Sequence, residues 1–144
     1  MQMTKEIYNI MVIEDDLSEQ KIISMLIRNA GFTAAIKFLN NGEDAIRYIN
    51  EFGDDPMFSR IHLIFLDLNL PKINGIEVLK TIKKNDLLCL VPLIVLTTSN
   101  SKSDVINAYS AGASGYVRKP SVIDDYEKVI NHILKYWLEI CITP

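Results

Sequence analysis

The chain of 144 residues carries 15 Lys and Arg against 18 Asp and Glu, a formal charge of −3 at neutral pH, and 49% of its residues are hydrophobic. That size and apolar content describe one domain over 1–144 with an ordinary core and exclude a disordered chain; the mild acidity excludes non-specific attraction to nucleic acid or an anionic membrane. No apolar run reaches the roughly 18–20 residues of a membrane span, the polar start MQMTKE is no signal peptide, and Cys89 and Cys141 share no metal or redox spacing, which reads as reduced thiols of a cytoplasmic protein.

In chain order, YNIMVI (Tyr8 to Ile13) is a short strand buried on both faces. Leu17 to Ala30 follows as a helix with apolar positions at Leu17, Ile22, Ile23, Met25, Leu26 and Ile27, and Gly31 suits a left-handed cap after it. Asp16 and Glu19 have the spacing of a capping box at its start. TAAIKFL is a weaker strand, and Asn41-Gly42 turns into a helix carrying Ala45, Ile46 and Ile49. EFGDDPMFSR (Glu51 to Arg60) is the one long connector, polar and broken by Pro. The apolar run Ile61 to Leu66 forms a third strand that stops at a single carboxylate, Asp67, and a helix follows near Gly75 to Lys84. PLIVLT (Pro92 to Thr97) is a fourth strand and Asp104 to Ala111 a short helix. GYVR makes a fifth strand before a long final helix, Val122 to Ile140.

Five strands alternating with five helices predict an α/β fold with a doubly wound, mostly parallel sheet covered on both faces. Such sheets bind ligands outside the carboxyl ends of their strands, so the residues that end the strands carry the functional expectation. They are Glu14, Asp15 and Asp16 after the first strand, Asp67 after the third, Thr97, Thr98 and Ser99 at the fourth, and Arg118, Lys119 and Pro120 at the fifth. Clustered carboxylates repel one another unless a cation joins them, and hard oxygen donors from few side chains suit Mg²⁺. Lys119 adds a point charge for phosphoryl oxygen, a Thr hydroxyl adds a hydrogen bond, and Asp67 is then the natural nucleophile, since a carboxylate attacking phosphorus yields an acyl phosphate.

The segments VIEDD, IFLDLNLPKINGIEVL, PLIVLTTS and AGASGYVRKP, in this order and over nearly the whole chain, resemble the receiver domains of two-component response regulators. The resemblance implies a flavodoxin-like sheet of strand order 2-1-3-4-5 and a phosphorylation-controlled signalling module without an output domain. Its state would be set by a histidine kinase and read by an unknown downstream protein near the fourth helix and fifth strand. It implies Asp67 as phospho-acceptor, Asp15 binding Mg²⁺ directly, Glu14 through water, and the Asn69 backbone carbonyl as a further ligand. It implies Thr97 as the switch hydroxyl, Tyr116 as the switch aromatic that turns into the core, Lys119 as the phosphoryl-binding lysine, and a cis Lys119–Pro120 peptide. The stretch LDLNLPKINGIEVLKTIK with the ending YWLEICITP is most similar to single-domain regulators that partner phytochrome-type histidine kinases. One departure is Thr98, where the family usually has Ala or Gly; the bulkier side chain is expected to slow access of phosphodonors or of hydrolytic water.

Competing readings fare worse. A Mg²⁺-dependent phosphatase using an aspartyl phosphate needs a second acid two residues after the nucleophile, and that position is Asn69. A phosphorylation-independent interaction domain would be expected to have lost the acid pair or the lysine, and neither is lost. The chain is therefore expected to be no enzyme beyond its own phosphorylation and dephosphorylation. His62 and His132 have no neighbour at metal spacing. In the final helix Tyr126, Val129, Ile130, Ile133 and Trp137 form an inward stripe. Tyr136, Leu138, Ile140 and Ile142 are left over, which suggests a homodimer contact through the last helix and tail, against the alternative that the tail folds back over its own domain.

Overall fold

Strand formers alternate with amphipathic segments along the chain, and the computed structural model, which describes residues 6–53, 55 and 58–144, pairs them as the periodicity predicts. The strands are β1 (Tyr8–Ile13), β2 (Ala34–Leu39), β3 (Leu63–Leu66), β4 (Leu93–Thr97) and β5 (Gly115–Arg118), all parallel in the order β2-β1-β3-β4-β5. The helices are α1 (Leu17–Asn29), α2 (Gly42–Asn50), α3 (Gly75–Lys84), α4 (Lys102–Ser110) and α5 (Ile123–Leu134). The 51–60 connector lies partly outside the described residues.

Parallel strands covered on both faces bury side chains on both sides of the sheet; the central strands β3 and β4 are buried throughout, and the core divides accordingly. Met11, Ile13, Ile64, Leu66 and Val95 face a layer that includes Ala45, Ile49, Val78, Leu79, Ile82 and Ala108 from α2, α3 and α4. Ile10, Val12, Leu63, Phe65, Ile94 and Leu96 face Ile23, Leu26 and Ile27 of α1 and Tyr126, Ile130, Ile133 and Leu134 of α5. The chain reverses its winding between β1 and β3, which opens a crevice at the carboxyl ends of those two strands.

Several boundaries differ from expectation. Helix α4 starts at Lys102 because the Ser101 hydroxyl accepts the Asp104 amide and caps it two residues earlier than expected. A one-turn 3₁₀ segment, Leu88–Leu90, had no periodicity to betray it. The final helix is not uniform, since α5 passes into a π-helical segment at Lys135–Ile140. The Lys119–Pro120 peptide is trans, against the cis expectation; the two isomers before Pro differ by only about 0.5–1 kcal/mol, so the dipeptide alone does not decide between them. The tail does fold back, as the Arg60 guanidinium donates to the Pro144 carbonyl at 3.4 Å and Leu138 packs onto the core. Tyr136, Ile140 and Ile142 nonetheless remain exposed.

Candidate functional site

Strand register assembles the site. Ile13 lies beside Leu66, so the next residues, Glu14 and Asp67, emerge side by side; the Asp67 amide donates to the Ile13 carbonyl at 3.0 Å. Thr97 pairs with Arg118, and the Lys119 amide donates to the Thr97 carbonyl at 2.7 Å. The lysine leaves β5 beside the end of β4 and reaches across to Asp67.

Gly75 fixes the other wall. A Cβ there would stand 2.6 Å from the Leu68 Cα and 2.7 Å from the Asp67 carbonyl oxygen, so only glycine lets the start of α3 rest directly on the backbone that carries Asp67. Asn74 caps that helix by accepting the Ile76 amide. Gln20, buried in α1, donates through Nε2 to the Glu14 carbonyl at 2.8 Å and to Asn40 at 2.7 Å, tying the loop after β1 to the loop after β2.

Carboxylate oxygens of Glu14, Asp15 and Asp67 all lie within 4.8 Å of one another. Glu14 and Asp67 are buried and Asp15 is exposed. Lys119 Nζ bridges the buried pair, 2.8 Å from Glu14 Oε2 and 3.0 Å from Asp67 Oδ2. The other Asp67 oxygen accepts the Asn69 amide at 3.0 Å. Burial, reinforced by the Asp67 charge, pushes Glu14 up to about 7 against the pull of the lysine. Burial acts the same way on Asp67, but the Asn69 amide and the Lys119 charge outweigh it and hold this carboxyl below its ordinary range. The two carboxylates in turn hold Lys119 above its ordinary value despite burial. At neutral pH the site thus contains an ionised Asp67 and a charged lysine. Its oxygen-only donor set, with one member open to water, has the chemistry of a hard divalent-cation site.

Thr97 is fully buried. Its hydroxyl accepts from Asn69 Nδ2 at 3.2 Å, and the same amide group lies 3.4 Å from the Thr98 hydroxyl. Asn69 was expected to act through its backbone carbonyl; its side chain links the ends of β3 and β4 as well. Tyr116 packs against the core beside α4 and donates its hydroxyl to the Ser99 carbonyl at 2.9 Å, so in this structure the ring is already turned inward.

One expectation of the sequence is half met. Asp16 caps α1, accepting the Ser18 amide at 2.9 Å, but Glu19 does not return to the Asp16 amide. That donor goes to Glu14 Oε1 at 3.2 Å. Glu19 instead accepts the Tyr126 hydroxyl at 2.9 Å and lies 3.7 Å from Lys119 Nζ, a fourth carboxylate that capping spacing conceals. The cleft over these groups has a volume of about 640 Å³ and runs from Asp15 and Asn69 to Ile22 and Ile123. His62 and His132 lie outside it.

Residues 10–131 match the family model described as the response regulator receiver domain. Among proteins similar to this chain, Rcp1 of Synechocystis sp., a response regulator, is 33% identical over 94% of the chain and 92% of its own length. A protein of Methanothrix harundinacea named "Probable methanogenesis regulatory protein FilR2" is 36% identical over 90% of the chain and 83% of its own length. The phosphorylated cyanobacterial phytochrome response regulator RcpA superposes with a TM-score of 0.88 at 29% identity, covering 96% of this chain and 99% of that one. The Mn(2+)-bound form of Rcp1 superposes with a TM-score of 0.83 at 32% identity, covering 95% and 99%.

Proposed function

The chain belongs to the response regulator receiver family, and from that premise we propose that it is a cytoplasmic signalling protein that accepts a phosphoryl group on Asp67 from a histidine kinase of the phytochrome type. The observation that carries the assignment is the bridge of Lys119 across Asp67 and Glu14. It places an ammonium beside an ionised carboxylate at the strand end where family members are phosphorylated.

Each residue then has a task. An Asp67 carboxylate oxygen attacks phosphorus; the new P–O bond forms as the bond from phosphorus to the donor nitrogen breaks, and that nitrogen leaves with the electron pair. Lys119 faces the phosphoryl oxygens and offsets their charge. Glu14, Asp15, Asp67 and the Asn69 carbonyl would hold Mg²⁺, which, when bound, neutralises charge on the transferring group; the Mn(2+)-bound form of Rcp1 supports a divalent cation in this role. Thr97 supplies a hydroxyl to the phosphoryl group. The Tyr116–Ser99 hydrogen bond, two residues past Thr97, is the element whose making and breaking reports the site's state to α4 and β5, where a downstream protein reads it. Thr98, exposed at the mouth of the cleft, narrows access for donors and for water. The exposed Tyr136, Ile140 and Ile142 favour association with a second copy through the last helix and tail.

The test is incubation with phosphoramidate followed by intact mass spectrometry. Wild type gains one phosphoryl group with Mg²⁺ and none with chelator, and Asp67→Asn gains none. Labelling of Asp67→Asn to the wild-type level would refute the assignment.

A further inference from the structure

Lys119 has three N–H donors and a side chain only 8% exposed. Two donors face Glu14 and Asp67; the nearest further anion is Glu19, at 3.7 Å. Both close partners belong to the carboxylate cluster, so a cation bound there would compete with the lysine for their oxygens. A buried ammonium stripped of its partners is costly and tends to move. Glu19 is outside the cluster that shares ligand atoms, and its place does not depend on a cation. It sits in the first turn of α1, whose start Asp16 caps, and its carboxylate is pinned by the hydroxyl of Tyr126. That tyrosine is 4% exposed, wedged in α5 against the sheet, and burial together with the Glu19 charge keeps it a phenol and hence a donor.

We infer that Glu19, anchored by Tyr126, is a positioning residue for Lys119: it retains the ammonium at the cleft while Glu14 and Asp67 engage a divalent cation. The inference rests on the phosphoryl-acceptor reading and extends it by giving α1 and α5 a joint hold on the lysine. A solely structural role, in which Glu19 and Tyr126 staple two helices and nothing more, predicts altered stability without altered site chemistry.

The experiment compares wild type with Glu19→Gln, Tyr126→Phe and Asp125→Asn. The first removes the charge while keeping the shape. The second keeps every charge and the ring but frees Glu19. The third removes a charge from the first turn of α5, where Asp125 is exposed, and controls for the general field. Three quantities are read: the Mg²⁺ dissociation constant by calorimetry, the rate of phosphorylation by phosphoramidate at saturating Mg²⁺, and the ¹⁵N resonance of the Lys119 ammonium. Urea midpoints identify any loss of fold. Glu19→Gln is expected to weaken Mg²⁺ binding and slow phosphorylation by about three- to tenfold, with Tyr126→Phe changing both in the same direction by a smaller factor and Asp125→Asn leaving both near wild type. The lysine resonance in the Mg²⁺-bound protein shifts or broadens in the first two variants alone. Wild-type constants in Glu19→Gln, no change in Tyr126→Phe, or an equal loss in Asp125→Asn would each overturn the inference while a phosphorylated wild type leaves the acceptor reading standing. If Glu19→Gln does not fold, Tyr126→Phe decides. A wild type that takes no phosphoryl group would overturn both readings.

Discussion

Replacing Glu14 with Gln should make the metal-free protein more stable above neutral pH, and the structure sets the size of the effect. In the fold, burial and the neighbouring Asp67 charge raise Glu14 from its usual 4.5 to about 7. The folded state therefore holds this proton more tightly than the unfolded chain. The resulting stabilisation is fully present below about pH 4.5 and is lost as pH rises through about 7. Such a displacement corresponds to a loss on the order of 3 kcal/mol, or roughly 6–12 °C in midpoint for a chain of this length. Glu14→Gln, which cannot ionise, escapes that loss. His62 works in the opposite sense, because burial depresses it and makes protonation at falling pH destabilising; it is common to both proteins and cancels in their difference. Asp67, held low, loses its contribution only as pH falls through the acid range below its usual 3.8, outside this window. The assay is urea unfolding of both proteins in chelator from pH 5 to pH 8. The difference in unfolding free energy should grow in favour of Glu14→Gln as pH rises, and Mg²⁺ should stabilise wild type more than the variant. Parallel pH profiles for the two proteins would refute the electrostatic account of the site.

Gly75→Ala should cost about 1–3 kcal/mol by overpacking against the Asp67–Leu68 backbone and should slow phosphorylation as well; urea unfolding and the phosphoramidate rate check the two effects, and an unchanged midpoint would contradict the close approach. Gln20→Ala leaves the buried Glu14 carbonyl and Asn40 without their shared donor, and a loss of about 1–3 kcal/mol is expected by chemical denaturation. Light scattering at high micromolar concentration should show a dimer for wild type and a monomer for a chain truncated after Tyr136; a monomeric wild type, phosphorylated or not, would end the dimer proposal.

The strand ends could be read from the sequence because two simple rules meet there. Apolar runs such as Ile61 to Leu66 mark buried parallel strands, and a parallel sheet gathers their last residues on one rim. Glu14, Asp67, Thr97 and Lys119 were legible for that reason. Glu19 was not: its spacing from Asp16 satisfies a local capping pattern, and its actual partners, Tyr126 and Lys119, lie 107 and 100 residues away in the chain. The inward setting of Tyr116 likewise depends on the Ser99 carbonyl in another loop. The π-helical turn at Lys135–Ile140 leaves no mark in a pattern of apolar residues that suits an α-helix equally well. The trans Lys119–Pro120 bond reflects a choice between isomers too close in energy for the dipeptide to settle.

Covalent attachment at Asp67 is the central claim, and its direct measurement is chemical trapping. After phosphoramidate and Mg²⁺, borohydride reduces an aspartyl phosphate to homoserine while leaving free carboxylates intact. Tandem mass spectrometry of the peptide spanning Leu63 to Lys72 should then find homoserine at position 67, and only in the sample containing Mg²⁺. Homoserine at Asp15 or another acidic position, or a phosphoryl group that survives the reduction, would contradict the account.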